Sequence, residues 1–311
     1  MNTDAQDKVS GSGLAFAVGA YLLWGVLPLL FFALRDSSAP EIVAWRIVLS
    51  LVFCALIVTI TRSWPKLIAI VRDRRTMLSL ALAAGFILVN WAVYVFASVS
   101  GHVVEASLGY FTNPIVTVLL GVIVLRERLR PLQWAALGTS AVAVLVIAIG
   151  YGAFPWIALA LAFSFGFYGL VKKRVGPKAD AVSGLAIETA VLAPAAAVVL
   201  VVIALTSGLS FGSRGTAHDL LTLSLGVATS VPLILFAAAA RRLPLVYLGL
   251  VQYIAPILQL VVGVVLLNED MPLERWVGFG IVWAALILLT VDMFLNGRRQ
   301  RRAVPEPAGA P

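Results

Sequence analysis

Apolar residues run along this chain in long blocks, broken by short links that carry Arg, Lys, Gly or Pro. The blocks fall at about 13–34, 40–61, 76–98, 102–125, 132–150, 153–171, 181–206, 217–240, 244–267 and 273–295. Each is near the roughly 20 residues that a helix needs to cross a bilayer. The pattern predicts an all-α polytopic membrane protein with ten transmembrane helices.

Two stretches stand apart within that pattern. LGYFTNPIVTVLLGVIVLRERLRPLQWAALG (108–138) and LVQYIAPILQLVVGVVLLNEDMPLERWVGFG (250–280) share nine of 31 positions at a fixed offset of 142. The identities include Pro114/Pro256, Gly121/Gly263, Glu127/Glu269, Trp134/Trp276 and Gly138/Gly280. Apolar composition alone supplies Leu and Val matches but does not align Pro, Gly, Glu and Trp in one register. At a nearly equal offset of 144, Trp24-Gly25 meets Tyr168-Gly169. The repeat divides the chain into a tail (1–12), a first five-helix unit (13–150), a second (151–296) and a basic tail (297–311), which its Pro/Ala-rich end predicts to be disordered. Five spans is an odd number, so the second unit enters the membrane from the opposite side. That is the inverted-repeat plan of secondary transporters, whose substrate site lies near midplane between the repeats.

Composition agrees: 61% of the 311 residues are hydrophobic and 12% charged, with a mean hydropathy of +1.01. A soluble fold of this length has too little interior to hide so much apolar side chain. The net charge of +8 would point a soluble chain toward nucleic acid, but here the basic residues sort by side. With the N-terminus cytoplasmic, nineteen Lys and Arg fall on inner connections and three on outer ones. This is the positive-inside bias, and it puts both termini in the cytoplasm. The segment MNTDAQDKVSGSG reads as a short tail rather than a cleavable signal. The chain therefore reads as an integral, multi-pass protein of a bacterial plasma (inner) membrane, with membrane lipids as neighbours and no nucleic-acid partner.

Candidate chemistry is sparse. A single Cys54, and only His102 and His218 as histidines, exclude a disulfide framework and argue against a metal site. No cofactor motif occurs, and no G-x-x-x-x-G-K-[ST] is present to bind ATP. Ionisable residues inside spans are functional candidates by default. Arg46 lies ~9 Å and Glu105 ~5 Å below the outer edge, with Asn90 and Trp91 at ~10–12 Å. One reading pairs Arg46 with Glu105 beside Asn90 in the outer half of a cavity. A second has Arg46 bind an anionic substrate group directly, a third has the pair merely fasten helices, and in the last the two do not meet. In the offset-142 register Arg46 corresponds to Glu188, ~10–12 Å from the inner edge. Desolvation makes Glu188, and with it Glu105, a candidate for proton coupling; alternatively Glu188 snorkels or bonds a neighbouring hydroxyl.

Asn113-Pro114 and Ala255-Pro256 fall near midplane, where each proline is expected to break its helix and free backbone carbonyls for substrate, or to make a kink that only shapes packing. Asn113, Gln252 and Tyr253 stand near those breaks. Tyr110, with Tyr21, Trp24, Tyr94 and Tyr168, supplies aromatic wall for flat or apolar substrates.

The segment NWAVYVFASVSGHVVEASLGYFTNPIVTVLLGVIVLRERL (90–129), with the repeat skeleton, resembles the EamA family of the drug/metabolite transporter superfamily. EASLGYFTNP in particular is similar to its RarD branch. The resemblance implies two five-helix EamA repeats, a central cavity and transport of a small metabolite or drug, with export as the expected direction. A proton or a metabolite moving in counter-flux is the expected coupling. Neither substrate nor oligomeric state follows from the sequence. A membrane-embedded enzyme acting on a lipid-soluble substrate is the alternative, although the chain has no HExxH, G-x-S-x-G or Asp-rich motif.

Overall fold

The computed structural model describes residues 11–125, 154–240, 242, 251–273 and 276–281, with scattered helical positions in 131–142 and 283–291. Among the described residues the chain is helical throughout. The elements are α1 (Gly11–Ala33), α2 (Ala39–Ile60), α3 (Trp64–Arg72), α4 (Arg74–Val99), α5 (Val103–Leu125), α6 (Trp156–Val175), α7 (Ala181–Thr206), α8 (Thr216–Ala240) and α9 (Ile254–Val261). A π-helical turn, Val262–Leu266, continues α9. Residues 1–10, the C-terminal tail, RERLR, most of the fifth expected span, about half of the tenth and positions 244–250 of the ninth lie outside the described residues.

Polar residues at the ends of the apolar blocks set several of these boundaries. Ser38 caps α2 by accepting the Glu41 backbone N–H, and Pro40 sits in the first turn, where its missing N–H costs nothing. Asp73 caps α4 and Asp180 caps α7, each accepting two backbone N–H groups. The short helix α3 was not expected: it occupies the basic link between the second and third spans. Its Trp64, Ile68 and Val71 are exposed between Lys66 and Arg72, the make-up of a helix that lies along a membrane surface.

Five of the helices are long and apolar enough to cross a membrane. Their outward faces remain hydrophobic; Val52, Leu56, Leu78, Val198 and Leu205 are each more than half exposed. In water such faces would be unstable, whereas hydrocarbon is their natural solvent. The protein is an integral, multi-pass membrane protein.

The chain forms two compact units. The first comprises residues 1–117 and 156–270, the second 118–155 and 271–311. The first unit thus draws on both halves of the sequence, and its strongest packing joins one half to the other: α1 to α8, α2 to α7 and α8, α4 to α6, and α1 to α9. Its buried core includes Phe31, Ile42, Ile87, Trp91, Leu161 and Leu225. Glycines allow the closest approaches. A Cβ on Gly226 of α8 would lie 2.7 Å from the Leu49 carbonyl oxygen of α2, and one on Gly25 would lie 2.6 Å from Leu258 Cβ. In the second unit, Phe279 is buried and meets Trp283, four residues on, edge to face at 6.4 Å.

Helix α5 corrects one expectation. It runs unbroken through position 114, because losing one backbone donor bends a membrane helix without ending it when neighbours pack around the bend. Pro28, Pro194 and Pro232 likewise sit inside helices. At Pro256 the expectation holds in modified form. The chain turns at Gln252–Tyr253, and α9 restarts at Ile254 with Pro256 in its first turn.

Candidate functional site

Within the first unit, α1, α2, α4, α5, α6, α8 and the start of α9 surround one cavity. About 60 Å³ of it is open to the centres of water molecules, room for several waters or part of a small organic solute. Helical spacing explains which side chains face it. Gln252, Ala255, Pro256 and Gln259 recur at intervals of three and four, on one face of α9 and the turn before it. Asn90 and Tyr94, and likewise Tyr110 and Asn113, are one turn apart on their helices.

Most of the residues singled out from the sequence meet here. Arg46, Asn90 and Trp91 line the cavity, as do Tyr110 and Asn113. From the other half of the chain come Gln252 and Pro256. Of the expected aromatic walls, Tyr21, Trp24 and Tyr94 are present. Tyr21 and Trp24 form an edge-to-face cluster with Phe236, with centroids 5.4–6.1 Å apart, and Tyr94 meets Tyr110 edge to face at 5.4 Å. Four expected residues are not in the walls. Tyr253 stacks on Phe111 at 6.4 Å, Glu105 stands half-buried in the first turn of α5, and Glu188 belongs to a separate cluster. Tyr168, expected among the aromatic walls, stands in that cluster too.

The expected Arg46–Glu105 pair is replaced by other contacts. Arg46 is only 3% exposed, and its Nε donates to Thr229 Oγ1 at 2.8 Å across the α2–α8 contact. The guanidinium carbon lies 4.4 Å from the centroid of Trp91 and 5.4 Å from that of Phe31, where the ring quadrupoles attract a cation. Its Nη1 is buried with no hydrogen-bond partner among the described residues. The physical reason is register: Arg46 leaves α2 toward α8 and the Trp91 face, while Glu105 begins a different helix.

Asn90 is fully engaged. Its Nδ2 donates to the Leu161 carbonyl and to Ser164 Oγ, both at 3.2 Å, and its Oδ1 accepts from the Tyr110 hydroxyl at 3.0 Å. It ties α4, α5 and α6 together at the cavity wall. Asn113 differs, since its Oδ1 is buried and lacks a partner among the described residues. Gln259 Nε2 donates to the Trp24 carbonyl at 3.2 Å, in a helix whose ladder Pro28 interrupts by lacking the donor for that carbonyl.

Glu188 is fully buried on α7. It accepts from Lys172 Nζ at 2.7 Å and from the Tyr168 hydroxyl at 3.2 Å. Glu188 thus bonds a hydroxyl and also forms an ion pair that the sequence did not suggest, because Lys172, near the end of α6, reaches back along its helix to meet it. Near the same end, the Asp73 carboxylate is held well below the ordinary aspartate range by a hydrogen bond from Thr76 and by Lys178. Burial raises the Asp180 carboxyl, but hydrogen bonds from Ser183 and Val182 outweigh it and leave a net lowering.

Sequence reasoning missed Thr229, Lys172 and Gln259. The i, i+3, i+7 spacing from Gln252 marks Gln259, whereas a threonine in an apolar helix carries no signal of its own. Among the described residues no cluster of three His, Cys, Asp or Glu side chains is placed to hold a metal.

A chain so built resembles known transporters. Residues 11–149 and again 154–291 match the EamA-like transporter family. The protein is 47% identical to Protein RarD of Streptomyces exfoliatus over 290 residues, covering 93% of this chain and 91% of that one. It is 38% identical to Protein RarD of Escherichia coli K12 over 94% of this chain and 98% of that one. It is also 38% identical to the uncharacterized transporter YojE of Bacillus subtilis, over 92% and 95% of the two chains. A crystal structure with 18% sequence identity shares the fold, with a TM-score of 0.61 over 91% of this chain and 99% of that chain. Two matches that together span nearly the whole sequence, with RarD relatives covering nine-tenths of it, place the chain in the EamA-like transporter family.

Proposed function

We propose that the protein is a secondary-active permease that exports a small metabolite or drug by alternating access around the Arg46 cavity. The observation that carries this reading is the composition of the walls. Helices from both halves of the sequence converge on one polar and aromatic cavity in an otherwise apolar protein. Two structural repeats that meet at a midplane site can rock against each other and expose that site to either side. The proposal includes ten spans in two inverted five-helix repeats, with both termini cytoplasmic on the positive-inside bias.

Coupling is assigned to a proton carried on Glu188 or Glu105, or to counter-flux of a metabolite. Glu188 already has a hydroxyl and an ammonium group as exchange partners.

The test is flux in proteoliposomes under an imposed pH gradient, with Arg46→Ala as the comparison. The reading expects accumulation of a labelled solute that depends on the gradient and falls at least about tenfold in the variant, the loss of one charged binding contact. A covalent product formed in place of flux would overturn it in favour of a membrane enzyme.

A further inference from the structure

We infer that the Arg46 cavity selects net monoanions: small carboxylates with a flat apolar body, in preference to neutral or zwitterionic solutes of the same shape. The inference rests on the permease reading for its physiological meaning, but its physical basis is separate.

Among the described residues Arg46 is the one formally charged member of the cavity walls, and none of those lining residues is acidic. Guanidinium does not shed its proton in proteins, so the charge is permanent. A buried charge is costly unless a counter-charge or hydrogen bonds compensate it. Arg46 receives only partial compensation. One neutral hydroxyl, Thr229 Oγ1, takes the Nε proton, and two ring faces lie beside the planar group. Among the described residues it has no ion pair, and Nη1 is buried without a partner.

The unfilled valence is directional. With Nε committed to Thr229, the unpartnered donor nitrogen is Nη1, and a guanidinium presents such donors in a planar geometry that matches the oxygens of a carboxylate. Trp91 covers the guanidinium at 4.4 Å and holds that plane in place. Asn113 Oδ1 is a second unpartnered polar atom in the same walls, suited to a hydroxyl or N–H donor on the solute. Most of the remaining wall is aromatic or aliphatic, which suits a flat ring, and its other polar side chains, Asn90, Gln252 and Gln259, are neutral. An ammonium group would meet Arg46 with no carboxylate to offset it, and this disfavours zwitterions.

The probes are benzoate, benzamide and phenylalanine: an anion, its neutral isostere and a zwitterion. Binding to the full-length protein in neutral detergent is measured by calorimetry, and flux of each probe is followed in liposomes. Benzoate is expected to bind at least about tenfold more tightly than benzamide, as a charge-assisted pair requires, and phenylalanine more weakly than benzoate. Arg46→Gln should abolish the preference, and Arg46→Lys should retain part of it. If Arg46→Gln does not fold, the three-probe ranking in the wild-type protein and in Arg46→Lys decides. Equal binding of benzoate and benzamide, or tighter binding of phenylalanine, overturns the inference. So does loss of benzoate binding on titration with phosphatidylglycerol, which would assign the anion site to lipid. Arg46-dependent benzoate binding without flux of any probe would leave the anion site standing and count against the permease. Flux confined to neutral probes would do the reverse.

Discussion

Glu269 reaches across 165 residues of sequence to accept the Val104 backbone N–H at 2.8 Å through Oε2, while its Oε1 accepts that of Val103 at 2.7 Å. The first two amides of α5 are thereby capped by a carboxylate from the segment that follows the π-helical turn. Beside this contact, a Cβ on Gly263 would lie 3.0 Å from Val104 Cγ2, so the glycine lets the two segments close up. Both residues are the second-half members of repeat pairs, Gly121/Gly263 and Glu127/Glu269, and in that half one sets the distance and the other makes the latch.

Glu269→Ala should therefore cost roughly 1–2 kcal/mol, the range for losing a cap with a charge at a helix N-terminus. Glu269→Gln, which keeps one acceptor oxygen, should lose less. Thermal unfolding in detergent, followed by helical circular dichroism, measures both. Equal losses for Ala and Gln would mean that charge, not hydrogen bonding, holds the contact.

The Lys172–Glu188 pair makes an asymmetric prediction. Lys172→Met strands a carboxylate that is 1% exposed, and breaking one side of a buried pair costs roughly 3–5 kcal/mol. The lower end applies, because Lys172 itself is 29% exposed. The double variant Lys172→Met/Glu188→Gln should be more stable than Lys172→Met alone. A double variant less stable than the single one would show that Glu188 holds α7 through Tyr168 instead.

Span positions and the cavity address were legible in the sequence, because both follow from local rules. Apolar run length located α1, α2, α4, α5, α7 and α8 to within a few residues. The break near Pro256 and the polar residues near midplane pointed to Arg46, Asn90, Asn113 and Gln252, all of which meet in one cavity. Pairings were not legible. Arg46 chose Thr229 over Glu105, and Glu188 chose Lys172, because partner choice depends on helix rotation and register, which apolar helices encode only weakly. The surface helix α3 was hidden for a different reason, since nine residues in a basic link read as a connection.

Asp73 predicts a dependence on acid. It caps α4 through Arg75 N and Thr76 N, accepts from Thr76 Oγ1 at 2.7 Å, and pairs with Lys178 at 3.0 Å. These partners hold its folded pKa below the ordinary 3.8. With the folded value depressed, the stabilisation is complete above the unfolded pKa and is lost as pH falls through 3.8 toward the folded value. Unfolding midpoints between pH 2 and 6 should fall on acidification in the wild type, and Asp73→Asn should flatten part of that slope. An unchanged slope would assign the acid sensitivity to other carboxylates.

The last prediction separates glycines by what faces them. Gly226 meets the backbone of α2, with the Leu49 carbonyl oxygen 2.7 Å and carbonyl carbon 2.9 Å from the position of an added Cβ. Backbone atoms cannot rotate away, so Gly226→Ala must push α8 from α2, at roughly 1–3 kcal/mol by the usual penalty for overpacking. The same displacement would pull Thr229 from Arg46, because Thr229 lies one turn further along α8. Gly169 of α6, by contrast, has nothing within 4 Å of an added Cβ. Gly169→Ala should be neutral, or stabilising by up to about 1 kcal/mol through helix propensity. Thermal unfolding of the two variants gives the stability contrast, and benzoate binding reads the Arg46 geometry. Weakened binding in Gly226→Ala, with unchanged binding in Gly169→Ala, would tie the α2–α8 spacing to the charge at the cavity wall. Unchanged binding in both would detach the cavity from that helix contact.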